Sequence, residues 1–218
     1  GAFGAFDREI VIQCGGYNTN TVGEDMELVV RMRRYMEELD EPYKVAFIPD
    51  PLCWTEAPST FKILGRQRNR WTRGTIETLR LHKVMLFNPR YGILGMLSYP
   101  YWLFFEFLAP IIEFFGTIGM IYYCFTYAIN WSAILILIGV LCLGILYSIF
   151  AIMMEVLTYN QYRGRKDILG LVGVAILEPF VFHPFVVWSA IRGNIDLLRK
   201  RNSWGEMTRT GLATEKKA

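Results

Sequence analysis

Three short clusters in this 218-residue chain combine residue types that can do chemistry. The first is Gly23-Glu24-Asp25. Two adjacent carboxylates after a glycine, at the start of an apolar-periodic stretch, meet the open amides of a helix N-terminus, which favour the ionised form. A carboxylate fixed in that way suits a base that takes a proton from a hydroxyl; plain helix capping uses the same residue types. The second cluster is Gln67-Arg68-Asn69-Arg70-Trp71. On a helix, Gln67, Arg70 and Trp71 share one face. The planar fork of Arg70 suits a diphosphate, and Trp71 offers a flat apolar ring for stacking. An arginine and a tryptophan near a membrane surface also need no chemistry to explain them. The third cluster is the tail Trp204-Gly205-Glu206-Met207-Thr208-Arg209-Thr210-Gly211. Its aromatic, hydroxyl and cationic groups between glycines suit a mobile loop closing on a charged ligand, or a basic tail on anionic lipid headgroups.

The elements that would position these residues can be read from the pattern. Residues 1–90 are expected to form α/β structure. Ala2–Phe6 reads as a buried strand or the floor of a site, and Gly15-Gly16-Tyr17-Asn18 reads as a turn. Thr21 to Glu24 has capping-box spacing, and the helix after it carries Leu28, Val29, Met32, Tyr35, Met36 and Leu39 at helical period. Lys44–Ile48 reads as a strand stopped by Pro49-Asp50-Pro51. Ser59 or Thr60 is expected to cap a second helix running to about Leu81.

Residues 91–218 read differently. From Tyr91 to Tyr162 there is no Lys or Arg, and the acids are Glu106, Glu113 and Glu155. A soluble core does not exclude basic residues for so long, whereas a bilayer does, because an unpaired charge in hydrocarbon costs at least a few kcal/mol. The basic residues flank this block: 13 of the 23 precede it, 3 follow directly and 7 lie from Arg192 onward. The net charge of +3 is therefore a membrane pattern and no sign of a nucleic-acid partner. Spans are expected at Trp102–Tyr127 and Ser132–Leu157, with Tyr91–Tyr101 along the interface and Asn130-Trp131 as the connecting turn. Glu178-Pro179 and His183-Pro184 interrupt a third apolar stretch, Ile168–Ala190. A third full span would carry the basic tail to the opposite face, so this stretch is expected to be interfacial or re-entrant. Glu178 and His183 read as a helix break more readily than as a metal pair. Glu106 and Glu113 are candidates for a polar path within the first span or for pairing with another helix. The run Tyr99–Phe107 reads as lipid-facing or core, with sugar stacking as the other use. Cys14, Cys53, Cys124 and Cys142 show no ligand spacing and read as reduced core residues.

Gly1–Phe6, Gly15-Gly16-Tyr17, Gly23-Glu24-Asp25, Gln67-x-x-Arg70-Trp71 and then membrane helices, in that order, resemble the processive family 2 glycosyltransferases, such as the cellulose, hyaluronan and poly-N-acetylglucosamine synthases. The resemblance covers essentially the whole chain. It implies the C-terminal part of a GT-A catalytic fold at 1–90, then an all-α membrane domain at 91–218 with two spans, one interfacial or re-entrant segment and a cytosolic tail. It implies a multi-pass protein of a bacterial plasma membrane, an inverting transfer from a UDP-sugar donor to a polysaccharide acceptor, and export of the β-linked chain. Asp25 would be the general base with Glu24 its motif neighbour. Gln67, Arg70 and Trp71 would shape the acceptor end and the pyrophosphate. Trp204, Thr208 and Arg209 are similar to a gating loop, although the family has Lys where Arg209 stands. The family holds Mg2+ or Mn2+ and UDP through motifs that include D-x-D, and no D-x-D occurs in this sequence. The chain is therefore expected to be a piece, entered partway through a strand, that is inactive alone. Rival readings are a non-processive family 2 enzyme acting on a lipid carrier and a non-enzymatic transporter or channel module. The transporter or channel module does not account for the G-E-D turn followed by Q-x-x-R-W before the first span, and by resemblance the Q-x-x-R-W pattern argues against the non-processive enzyme.

Overall fold

The computed structural model of this chain describes residues 4–48, 53, 55–127, 130–159 and 164–199. Helix α1, Arg8–Gln13, is capped by Asp7, whose Oδ1 accepts the amides of Glu9 and Ile10 at 2.9 and 3.2 Å. It is followed by Gly15 and Gly16, both at positive φ, which permits the reversal into the next segment. Helix α2 is Glu24–Leu39 and α3 is Phe61–Leu81. Thr60 caps α3 by accepting the Ile63 amide at 3.3 Å, so both ends of this helix match the expectation from sequence.

The start of α2 differs from that expectation. Gly23 is the cap residue and no side chain caps the helix. The Thr21 hydroxyl is engaged elsewhere, accepting the Gly23 amide at 3.2 Å and donating to Glu77 at 2.7 Å. The strand expected at Lys44–Ile48 is also not formed, and no strand occurs among the described residues. Val45, Phe47 and Ile48 are exposed there. A strand is completed by hydrogen bonds to a neighbour, and residues 44–48 have no strand partner among the described residues. For Ala2–Phe6, residues 1–3 lie outside the described set and residues 4–6 form no regular secondary structure and are exposed.

Helix α4, Leu94–Thr126, spans 33 residues, and α5, Trp131–Tyr159, contains the second long apolar stretch; both are long and apolar enough to cross a membrane. At ~1.5 Å per residue each exceeds the ~30 Å hydrocarbon core. The first begins earlier than Trp102 because the chain does not break at Pro100. The backbone instead widens into π-helical turns at Leu94–Ser98 and Trp102–Leu108, which accommodates a ring that lacks the N–H and crowds the preceding turn. Helices α6, Arg165–Leu177, and α7, Phe182–Leu198, meet at a 55° bend. The break falls between Glu178 and His183, where the prolines predict it.

Two compact units are formed. One comprises the described residues of Gly1–Glu113 and Ser189–Ala218. Its core is Leu79, Met85, Tyr91, Leu94 and Tyr99, with Val30, Leu103 and Phe107 packed against it. Inside this unit the π-helical start of α4 is therefore welded to α2 and α3, and the buried Tyr99 hydroxyl donates to the Leu79 carbonyl at 2.6 Å. Tyr101, Trp102, Phe104 and Phe105 are exposed, so the aromatic run divides between core and surface. The other unit is Phe114–Trp188. In it α5 packs on α6, burying Val156 and Ala175, and Phe114 meets Trp188 with ring centres 5.9 Å apart. All four cysteines are free thiols. Cys14 is half-buried, but Cys53, Cys124 and Cys142 are exposed, so the expectation that all four lie in a core does not hold. Cys124 and Cys142 stand exposed on the two long apolar helices.

Candidate active site

The site is organised by the crossing of α2 on α3. A methyl group placed on Gly23 would lie 2.8 Å from the Gly74 Cα, and one on Gly74 would lie 2.9 Å from the Gly23 Cα. No larger residue fits at either position without parting the two backbones. The Gly23-Glu24-Asp25 turn is thereby seated on the middle of the helix that carries the second cluster. Arg70 precedes Gly74 by four residues, about 6 Å along the helix.

A second restraint comes from Glu77, one turn after Gly74. Its Oε2 accepts both the Thr21 hydroxyl at 2.7 Å and the Val22 amide at 2.9 Å. Thr21 and Val22 are buried, so these groups depend on Glu77 in place of water. An open pocket of about 440 Å³ lies beside this contact, lined by residues 17–22 together with Glu24 and Glu77.

Asp25 is exposed and Glu24 half-buried in the first turn of α2. The Asp25 Oδ1 accepts the Met26 amide at 2.8 Å. Glu24, Asp25 and Glu27 all stand in that turn, where the helix dipole stabilises negative charge by roughly 0.3–1 kcal/mol each. Gln67 and Arg70 are half-buried on α3, and Trp71 is 50% exposed. The Arg68 guanidinium lies over the Trp71 ring at 4.7 Å, so a neighbouring cation covers one ring face. Trp204, Thr208 and Arg209 lie outside the described residues.

A buried polar network supports the turn before α2, and sequence reasoning missed it. Glu27 is 1% exposed and His82 3%. Glu27 pairs with Arg31 at 3.0 Å and with the His82 Nε2 at 3.1 Å. Arg31 donates in turn to the carbonyls of Cys14 and Gly16, which clamps the glycine turn. The Arg34 guanidinium stands 3.5 Å from the His82 Nδ1. Arginine only donates and an ionised carboxylate only accepts, so the fitting tautomer has the proton on Nε2 and a bare Nδ1. Burial holds the His82 pKa below its ordinary 6.5. The Arg34 and Arg31 charges act in the same sense, and together they outweigh the bond to Glu27. Gly74 did carry a signal in the sequence, since a helix-interior glycine costs about 1 kcal/mol and marks a close approach. Glu77 and Glu27 carried none, because each looks like one more acid on an amphipathic helix.

Among the described residues no group of three His, Cys, Asp or Glu side chains is placed to hold a metal ion. His183 and Glu178 do approach, at 3.6 Å, but without a third ligand. The described residues thus do not by themselves make up the divalent-cation site that the sequence resemblance implies. Glu106 and Glu113 are both exposed along α4, and the π-turn between them shifts the register that would otherwise align them.

Comparison with known proteins gives a consistent set. The model of a family described as "Glycosyl transferase family group 2" matches residues 1–159. The "Probable glycosyltransferase YdaM" of Bacillus subtilis is 30% identical over 114 residues, covering 52% of this chain and 24% of the relative. "Glucomannan 4-beta-mannosyltransferase 7" of Arabidopsis thaliana is 34% identical over 80 residues, covering 37% and 13% respectively. "Chitin synthase Vb" of Fusarium oxysporum is 42% identical over 62 residues, covering 28% and 3%. The chain thus spans a quarter or less of the length of these relatives. No solved structure matches.

Proposed function

Because the chain belongs to glycosyl transferase family group 2, we propose that it is a catalytic and membrane portion of an inverting enzyme that polymerises a sugar from a UDP-sugar donor into a β-linked polysaccharide. The observation that carries this reading is the Gly23–Gly74 crossing, which seats a carboxylate turn on the helix bearing Gln67, Arg70 and Trp71. Asp25 takes the proton of the acceptor hydroxyl, the oxygen attacks the anomeric carbon, and the bond to the nucleotide diphosphate breaks from the opposite side. Glu24 keeps the local field negative. Arg70 donates to the departing diphosphate through its planar fork, while Gln67 and Trp71 bound the acceptor end. The names of the chitin synthase and the glucomannan mannosyltransferase support a polysaccharide product. The C-terminal part of a GT-A α/β fold is the expected setting of residues 1–90. The catalytic portion faces the cytosol, on the side that supplies nucleotide sugars. The tail with Trp204, Thr208 and Arg209 closes over the nucleotide, and the helices of 91–218 offer the chain a way across.

The test uses the full-length parent in membranes beside its Asp25→Asn variant, with a panel of nucleotide sugars. Nucleotide release with a long polymer, both lost in the variant, is the expected result. Release with short products only would remove processivity. A variant as fast as the parent would sink the base assignment.

A further inference from the structure

We infer that Glu77 is a positioning residue for the reaction: its carboxylate on α3 sets the height and direction of the Gly23-Glu24-Asp25 turn. The inference rests on the reading of Asp25 as the base. Glu77 itself touches no reacting atom.

The geometry makes this specific. One oxygen, the Glu77 Oε2, receives the Thr21 hydroxyl and the Val22 amide together. Thr21 passes the restraint on, because its own Oγ1 accepts the Gly23 amide at 3.2 Å. A continuous path of hydrogen bonds therefore runs from α3 to the residue that caps α2, and Asp25 follows two residues later. The start of α2 has no side-chain cap of its own. The work of ending the preceding loop and aiming the first turn has passed to a residue 55 positions away in sequence. Gly74 and Glu77 sit one turn apart on α3 and act in complementary ways. The glycine lets the two backbones touch, and the carboxylate stops the touching loop from rotating about that contact. The helix that presents Arg70 to the leaving group thus also fixes the base, so acid–base and leaving-group chemistry share one rigid frame.

The acceptor role belongs to the oxygen and does not require the charge, which separates positioning from electrostatics. Glu77→Gln retains an oxygen able to take both bonds, whereas Glu77→Met keeps the length and removes them. In the full-length parent in membranes, with nucleotide release as readout, Glu77→Met is expected to lower kcat by about 10- to 100-fold, with the donor KM kept. Glu77→Gln is expected to restore kcat to within about threefold, with an unshifted pH profile. Thr21→Val breaks the same path from the other end and guards against a Glu77→Met protein that fails to fold. Thr21→Val is expected to lower kcat in the same way, and the double variant to be no worse than the more impaired single one. Rates are taken per folded enzyme, and Asp25→Asn is run alongside. If Glu77→Met and Thr21→Val keep the parental kcat while Asp25→Asn is dead, this inference fails and the base assignment survives. If Asp25→Asn is active, both fail. A Glu77→Gln enzyme as impaired as Glu77→Met, or one with a shifted pH profile, would assign Glu77 an electrostatic role and overturn positioning.

Discussion

Gly74→Ala is the smallest perturbation that addresses the proposed site without touching a polar group. The added methyl would start 2.9 Å from the Gly23 Cα and 3.1 Å from the Gly23 nitrogen, and both are backbone atoms that cannot swing aside. To reach an ordinary contact of ~3.5–4.0 Å the two segments must part by roughly 0.6–1 Å. Overpacking of this kind costs about 1–3 kcal/mol, and alanine returns up to ~1 kcal/mol as the better helix former. The net loss of stability is therefore small, about 0–2 kcal/mol. The effect on rate is larger, because a base displaced by ~1 Å from its partners loses on the order of 10²-fold. The assay measures kcat and donor KM of the full-length enzyme in membranes, with the thermal midpoint of the purified protein. We expect kcat to fall about 10- to 100-fold, KM to stay within threefold and the midpoint to drop only slightly. Gly173→Ala is the control, since a methyl there meets nothing within 4 Å, and it should leave kcat unchanged. A folded Gly74→Ala enzyme with parental kcat would refute the claim that the close crossing positions the turn.

Three further outcomes are expected. Arg70→Lys keeps the charge but loses the bidentate fork, so kcat/KM should fall by about 10²-fold with any donor; equal efficiency would remove Arg70 from leaving-group chemistry. His82 binds a proton less readily when folded than when unfolded. The unfolded chain therefore takes up more protons as the pH falls below 6.5. His82 thus makes its full contribution to stability above that pH and loses part of it beneath. Thermal midpoints followed against pH should show this slope in the parent protein and a shallower one in His82→Gln; identical slopes would disprove it. The α7 helix meets α3 inside the first unit, where a methyl on Gly193 would lie 2.9 Å from the Asn69 carbonyl oxygen. The Asn69 amide donates to Asp196 at 2.8 Å and its oxygen accepts Arg73 at 3.0 Å. Asp196→Ala should therefore cost about 1–3 kcal/mol, seen as a lower melting midpoint, and a midpoint equal to the parent's would show that this clasp adds nothing.

What could be read in advance divides along the range of the forces involved. The block from Tyr91 to Tyr162, free of Lys and Arg, declared the two long apolar helices, because desolvating a charge is a local penalty paid wherever the residue sits. Thr60 and Leu81 bounded α3 correctly, since helix hydrogen bonds and caps join residues three or four apart. The bend between α6 and α7 was legible from Pro179 and Pro184 for the same reason. The clusters Gly23-Glu24-Asp25 and Gln67-x-x-Arg70-Trp71 pointed to the family that the comparison then gave. The strand expected at Lys44–Ile48 was not formed, because its apolar residues are only half of a pairing whose other half is not found among the described residues. Pro100 misled in the other direction: a helix can widen around a missing donor when burial of Leu94, Gly95 and Tyr99 holds it in place.

The sequence by itself determined, then, the helical character of α2 and α3, which long segments can lie in a membrane, and which residue types stand in the candidate site. Tertiary structure alone decided that Gly23 rests on Gly74, that Glu77 completes the loop before α2, and that Glu27 is sealed against His82. These contacts join positions about fifty apart, and no local period or cap encodes them. They form because packing α2 on α3 withdraws water from the buried amide, hydroxyl and carboxylate groups, which must then find their partners across the new interface.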